Sequence, residues 1–502
     1  MDFIEFKNNL DRNKGPRSSM LFETFVIKLL EKYFNNKSKE FRSNITVRTL
    51  HGRTIELDAY APDGIDELAG PTIIEIRYSA SPSNMNKYLS KAFFKRYLDL
   101  NDKNELPFDS LFFIFGDKLD KDLKNKIYEI IESYKIKVKI WEPDDLSEIM
   151  NDDSLSSNSL ELLSELTINN TIDNSLKRTP DERLSKRKGI IDRLANIYKS
   201  DGIVLFLGSG ISNDVGIPLW DTLISDLLVE MIREKLVEKS IVIDDLDRDF
   251  IVKKLKNAKD TSPQLQARYI RTGLGRTFIK IISKVLYKDF RKPSNGWPEL
   301  LDILSQLCLP RRSGRGGVQA IVTYNFDDVF EKVLDEKGLD YVSIYRESDI
   351  PSQDELGIYH VHGFLPNTIE NDEKLSQSLL VFSEEGYHSL SLNPYSWQNI
   401  TQLNFLREST CIFVGLSLSD PNLRRLLAIS ASNSEYPRHF VILPKIIFEH
   451  DPKKEREDVI QSFSIVNEDL QEKSYQELGL NVIWAEDLEE IPGILAFLKK
   501  RR

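Results

Sequence analysis

The sequence predicts an α/β protein in two parts, with an open parallel sheet in its C-terminal part. Three observations predict it. Short, mainly apolar runs recur after residue 200, at 203–207 (IVLFL), 319–323 (QAIVT), 357–361 (GIYHV) and 411–415 (CIFVG), each reading as a buried strand. Each run leads into a polar loop: GSGIS, YNFDD, HG and LSLSD. A stretch rich in Ser, Asn and Asp, residues 151–182, separates these runs from an earlier group of strands and helices. The expected organisation is therefore a domain over 1–150, a linker with one short helix at 160–166, and a domain over 183–502.

The N-terminal part reads as an α/β unit. Residues 18–35 carry apolar side chains at helical spacing, with Glu23 among them. Strands are expected at 45–47, 54–60, 72–78, 111–115 and 136–141, and helices at 87–98 and 121–134. Asp58 and Glu75 each lie in a strand. Two carboxylates brought together this way can hold Mg²⁺, and a lysine two residues after the second would orient a hydrolytic water. The D…ExK pattern with an upstream helical Glu resembles the restriction-endonuclease-like fold. Here Arg77 stands in the lysine position. A guanidinium is planar and always protonated, so it cannot replace a water-positioning amine. Asp58 and Glu75 are therefore expected to be a vestigial Mg²⁺ site on a unit used for binding or sensing.

After an amphipathic helix at 183–199 comes GIVLFLGSGISNDVGIPLWD, residues 202–221. A strand, a glycine turn and a helix start can point backbone N–H groups at a phosphate. The common dinucleotide fingerprint would need a third glycine at position 213, which is Asn213. Residues 219–310 read as a helix-rich insertion capping the site, and RRSGRGG at 311–317 as a solvated turn. Further strands are expected at 440–443 and 481–484. Ligands of open parallel sheets bind at the carboxyl ends of the strands. Gly208, Ser209, Asn325, Asp327, His362, Ser417 and Asp420 are thus expected to converge on one crevice.

Composition bounds the function. With 68 Lys and Arg against 79 Asp and Glu, the net charge is −11, which argues against bulk electrostatic binding of nucleic acid. No apolar run reaches the length of a membrane span, so no membrane partner is expected. Cys308 and Cys411 both sit in apolar contexts and are too few for a four-cysteine zinc site. Scarce cysteine and an N-terminus without a signal-peptide core imply a cytoplasmic location.

Gly208, Gly210, Ser212, Gly216, Ile217 and Pro218 fit G-A-G-x-S-x-x-x-G-I-P-x-F, the nucleotide loop of the sirtuin family, with Trp220 at its aromatic position. Thr323–Asp327 fits T-x-N-x-D, and His362-Gly363 fits the family's histidine–glycine pair. GLSLSDPNLRRLL, from Gly415, is most similar to the bacterial defence-associated sirtuin-like domains. The resemblance covers roughly residues 185–495. It implies a Rossmann-like fold and an NAD⁺ hydrolase that starves an infected cell, often working as a homo-oligomer. It places NAD⁺ against Gly208, Ser209, Gly210, Ser212, Pro218, Trp220, Asp327, Gly415, Ser417 and Asp420.

In that chemistry Asn325 would position the attacking water or a ribose hydroxyl, and His362 would act as general base. Asp327 would fix the Asn325 loop or touch ribose. Trp220 and Ile217 would wall off the nicotinamide, and His360 would be structural. Protein deacylation, the rival within the family, lacks its zinc ribbon here and has Leu219 and Asp221 flanking the aromatic. The other rival is an NAD⁺ or ADP-ribose sensor controlling an N-terminal nuclease. With the two-part layout, the resemblance implies an effector triggered through its N-terminal part by a phage-derived molecule, nucleic acid or a partner protein.

Overall fold

The computed structural model describes residues 3–11, 15–48, 54–79, 106–151 (except 133 and 135), 160–240 (except 238), 244, 247, 250, 263–309, 316–367 (except 353–354), 380–448 (except 433) and 456–499. Two compact units emerge. One comprises Met1–Ile190 with Ala428–Arg438 and Ile446–Asn481; the other comprises Ile191–Leu427, His439–Lys445 and Val482–Arg502. The helix expected at 87–98 and most of the basic turn at 311–317 lie outside the described residues.

The first unit holds a five-stranded sheet: β1 (Arg42–Arg48), β2 (Thr54–Ala61), β3 (Thr72–Arg77), β4 (Ser110–Phe115) and β5 (Lys137–Trp141), in that order. β1, β2 and β3 pair antiparallel, while β3, β4 and β5 pair parallel. β3 and β4 are buried along their whole length because both sheet faces are covered. The period of two assigns the faces. Ile74, Ile76, Phe112 and Ile114 pack with Phe22, Phe25, Val26 and Leu30 of helix Pro16–Asn36. Ile73, Leu111, Phe113 and Phe115 pack on the other side with Ile127 and Ile131 of helix Lys121–Glu132.

Residues 160–177, expected as linker with a short helix, form one 18-residue helix, Leu160–Lys177. It packs on helices Pro16–Asn36 and Glu457–Glu477. Ser175 Oγ donates to Asp469 Oδ2 at 2.6 Å, and Arg183 reaches both oxygens of Asp469 at 3.1 Å. A helix from late in the chain is thereby fixed into the first unit, a placement that composition near residue 160 does not encode.

The second unit is built on a seven-stranded sheet: β6 (Ile203–Leu207), β7 (Val318–Thr323), β8 (Tyr341–Ile344), β9 (Leu356–His360), β10 (Cys411–Val414), β11 (His439–Pro444) and β12 (Leu480–Ala485). The order across the sheet is β12-β11-β10-β6-β7-β9-β8. Every pairing from β11 to β8 is parallel. This is the Rossmann-like α/β arrangement expected, with helices Trp220–Val237, Pro263–Leu274, Phe278–Leu286 and Glu299–Leu307 inserted between β6 and β7. β6 has β7 on one side and β10, a much later strand, on the other. The strand order therefore reverses at β6, and such a switch point opens a crevice at the strands' carboxyl ends.

Candidate active site

The chain leaves β6 through Gly208 into two short 3₁₀ turns, Ser209–Ile211 and Asn213–Val215; the α-helix begins only at Trp220. The loop packs against the one that follows β10. A Cβ on Gly208 would lie 2.5 Å from the Gly415 carbonyl oxygen, and one on Gly210 would lie 2.9 Å from Gly415 Cα. Only glycine permits that approach. Gly415 is itself left-handed, at φ 69°. The N–H groups of Gly208 and Gly210 donate to the Val414 and Gly415 carbonyls at 3.1 Å, and those of Ile211 and Ser212 donate within the loop. These four N–H groups are thus engaged in holding the turn together. The glycines' observed role is to let the two loops touch.

Ser212 is buried and points to the loop after β7. Its hydroxyl donates to Asp327 Oδ1 at 3.0 Å and accepts from Asn325 Nδ2 at 3.4 Å. Asp327 Oδ1 also accepts from the Val329 N–H at 3.1 Å, at the start of helix Val329–Glu336. Burial pushes the Asp327 carboxyl up to about 6, against those two hydrogen bonds. Asp328, next in the chain, accepts from the Tyr287 hydroxyl at 3.0 Å. Ser212, Asn325 and Asp327 therefore form one buried group joining the ends of β6 and β7.

His362 lies two residues past β9 and is buried. Its carbonyl accepts from the Val381 N–H at 2.8 Å. The rings of Tyr324 and Tyr387 stand edge-on at 4.5 and 5.8 Å. His362 Nε2 is 3.5 Å from Asp420 Oδ2. Burial pulls the imidazole below its ordinary value, and the Asp420 charge opposes that only in part, so His362 is neutral near pH 7. Asp420 Oδ1 accepts from the Leu423 N–H at 2.7 Å, capping helix Pro421–Ala431. Tyr324 connects the two groups: it precedes Asn325 in the chain and its ring packs on His362. Among the buried side-chain atoms of the described residues that lack a hydrogen-bond partner are Asn325 Oδ1, His362 Nε2 and Asp420 Oδ2, the last two lying 3.5 Å apart as an ion-pair contact.

Trp220 packs 5.3 Å from Phe382 and 6.4 Å from Phe326, while Ile217 is buried beside Pro218. This forms an apolar wall near the β7 loop. Ser417 is exposed and bonds to Ser419 at 2.7 Å. Nothing in the sequence singles out Tyr387, Gln402 or Glu331. The YNFDD loop carries the only cue, Tyr324, whose hydroxyl bonds to Gln402.

In the first unit, Arg77 bridges the two carboxylates on β2 and β3. It pairs with Asp58 Oδ2 at 2.8 Å and with Glu75 Oε2, and the Ile76 N–H also donates to Asp58 Oδ2 at 2.7 Å. Burial, followed by the Asp58 charge, raises Glu23 to about 7. No group of three His, Cys, Asp or Glu side chains placed to hold a metal occurs among the described residues. No described helix is long and apolar enough to cross a membrane.

Comparison with known proteins adds two findings. Residues 319–467 match the SIR2-like domain family, a span that includes Asn325, His362 and Asp420. The NAD(+) hydrolase ThsA of Enterococcus faecium is 23% identical over 323 residues, covering 63% of this chain and 59% of the relative. The chain thus spans about three-fifths of that relative's length.

Proposed function

We propose that the second unit binds NAD⁺ across the carboxyl ends of β6, β7, β9 and β10 and hydrolyses its nicotinamide–ribose bond. The observation that carries this reading is the set of unpartnered buried atoms, Asn325 Oδ1, His362 Nε2 and Asp420 Oδ2. Leaving a buried polar group unsatisfied costs roughly 1–3 kcal/mol, so polar capacity left open at these strand ends supports a polar ligand there. The SIR2-like match and the likeness to an NAD(+) hydrolase support NAD⁺ as that ligand.

In the reaction the C1′–N bond breaks and its electron pair leaves with neutral nicotinamide. The ribose becomes oxocarbenium-like and water adds at C1′. Asn325 Oδ1 accepts a hydrogen bond from that water or from a ribose hydroxyl. Neutral His362 takes the water's proton, with Asp420 beside it to stabilise the imidazolium. The products are nicotinamide, ADP-ribose and a proton. Trp220, Phe326 and Phe382 shield the nicotinamide side from stray water. Nicotinamide release by the purified protein tests this. Asn325→Ala and His362→Ala are each expected to lose about 100-fold or more of turnover, and undiminished turnover in both would remove the assignment.

As an extension of the same reading, the chain acts in the cytoplasm as a homo-oligomeric antiviral effector that depletes NAD⁺ once triggered through its first unit. The first unit is read as a restriction-endonuclease-like fold that senses and does not cut. Arg77 between Asp58 and Glu75 supports that side of the choice. Mg²⁺-dependent DNA cleavage lost in Asp58→Ala would reverse it.

A further inference from the structure

Behind Asn325 lies a second buried pair. His360 is the last residue of β9, and Glu331 sits on helix Val329–Glu336; both are buried. His360 Nε2 is 2.6 Å from Glu331 Oε1, and its Nδ1 is 3.2 Å from the main-chain oxygen of Asn325. The register explains the placement. His360 pairs with Thr323 across β7 and β9, so its ring lies beside the chain just as it leaves β7 for Asn325.

A main-chain oxygen only accepts, so His360 Nδ1 carries a hydrogen and donates. The short Nε2–Oε1 separation then requires one more proton between them, because two bare acceptors would repel. Ser343 Oγ donates to the same Glu331 oxygen at 3.0 Å and fixes the carboxyl plane. The Phe364 ring, 4.2 Å away, covers the imidazole. On its other side Asn325 donates its N–H to Thr323 Oγ1 at 3.1 Å. Both main-chain groups of Asn325 are therefore tied just beyond the last β7–β9 pairing. A buried histidine–carboxylate pair is a poor device for stability alone, since apolar side chains of the same volume often serve as well or better.

We infer that His360 and Glu331 are a positioning pair for the hydrolysis. Glu331 orients His360, His360 holds the Asn325 carbonyl, and together they fix where Asn325 Oδ1 meets the water or ribose. This rests on the NAD⁺ reading above.

The test uses the full chain with His360→Ala, His360→Asn, His360→Gln and Glu331→Gln. An Asn side chain places its amide nitrogen near Nδ1 and keeps the donor to Asn325, whereas Gln places it near Nε2. His360→Ala and His360→Gln are expected to lower kcat about 100-fold, the scale of a small misplacement of a reacting group. KM for NAD⁺ should stay within about threefold, because uniform binding is untouched. His360→Asn should recover about tenfold of the lost kcat, and Glu331→Gln should lie closer to wild type than His360→Ala. Amide hydrogen exchange across residues 323–329 should quicken in His360→Ala and His360→Gln and stay near wild type in His360→Asn.

Wild-type kcat in folded His360→Ala, a loss confined to KM, or no advantage of Asn over Gln would each overturn the inference. Should His360→Ala fail to fold, the Asn and Gln variants decide between them. Should the wild type itself release no nicotinamide, the NAD⁺ reading falls. The positioning claim is then judged by exchange, and unchanged exchange in His360→Gln overturns it.

Discussion

Both units bury polar groups on their sheets, and they settle them in opposite ways. In the first, Arg77 lies between Asp58 and Glu75, and a main-chain N–H adds a further bond to Asp58. In the second, Asn325 Oδ1, His362 Nε2 and Asp420 Oδ2 have no hydrogen-bond partner among the described residues. Two carboxylates on adjacent strands are the makings of a metal site, but the sequence already sets Arg77 where a lysine would orient water. Charge balance favours the second as a reactive centre, because Arg77 neutralises the first from within the fold. A carboxylate pair neutralised from within the fold has little left to offer a ligand, whereas the Asn325 carboxamide oxygen and the His362 ring do.

The contrast breaks most visibly under mutation. Asn325→Ala or His362→Ala should cut nicotinamide release about 100-fold or more while leaving the melting temperature close to wild type. Arg77→Ala should do the reverse. It strands the buried Glu75 carboxylate and the half-buried Asp58, so chemical denaturation should show a loss of about 3 kcal/mol in the first unit. The triple change Asp58→Leu, Glu75→Met, Arg77→Met should regain most of that, because a buried ion cluster is often no better than apolar packing. If Arg77→Ala is neutral, the cluster is not the structural element described here.

A subtler effect concerns pH. His362 must be neutral to accept a proton, and burial holds its pKa below the ordinary histidine value of 6.5. Activity should therefore persist through neutral pH and fall only as acid protonates the ring, with the acid limb of kcat/KM below pH 6.5. The Asp420 charge raises that pKa, so Asp420→Asn should move the limb to still lower pH. A limb moving upward would contradict the pairing. The smallest effect is expected from Ser417→Ala. Ser417 is exposed and bonded to Ser419, so kcat and KM should stay within about twofold.

The second unit's sheet is largely legible in the sequence because β6 and β10 are apolar runs buried on both faces, a pattern that survives without knowledge of their neighbours. β8 is not legible because it is a short, half-exposed edge strand, Tyr341–Ile344, with no continuous apolar run. Helix Leu160–Lys177 escapes because its Ser, Asn and Thr residues favour turns locally, and its packing partners lie far away in sequence.

The site divides in the same way. Asn325, Asp327 and His362 can be read because each follows a strand. Glu331 cannot, since its tie to His360 depends on how β9 registers with β7. The glycine loop reads as a phosphate cradle, yet the Gly210 N–H is engaged by Gly415. That contact joins loops after two strands distant in sequence and has no local signature.

The central claim is that one dinucleotide meets the ends of β7 and β9 together. The most direct measurement is a crystal structure of the His362→Ala protein with NAD⁺ bound. The nicotinamide ribose is expected within hydrogen-bond distance of Asn325 Oδ1, with C1′ facing position 362. NAD⁺ bound elsewhere, or with its ribose turned away from Asn325, would contradict it.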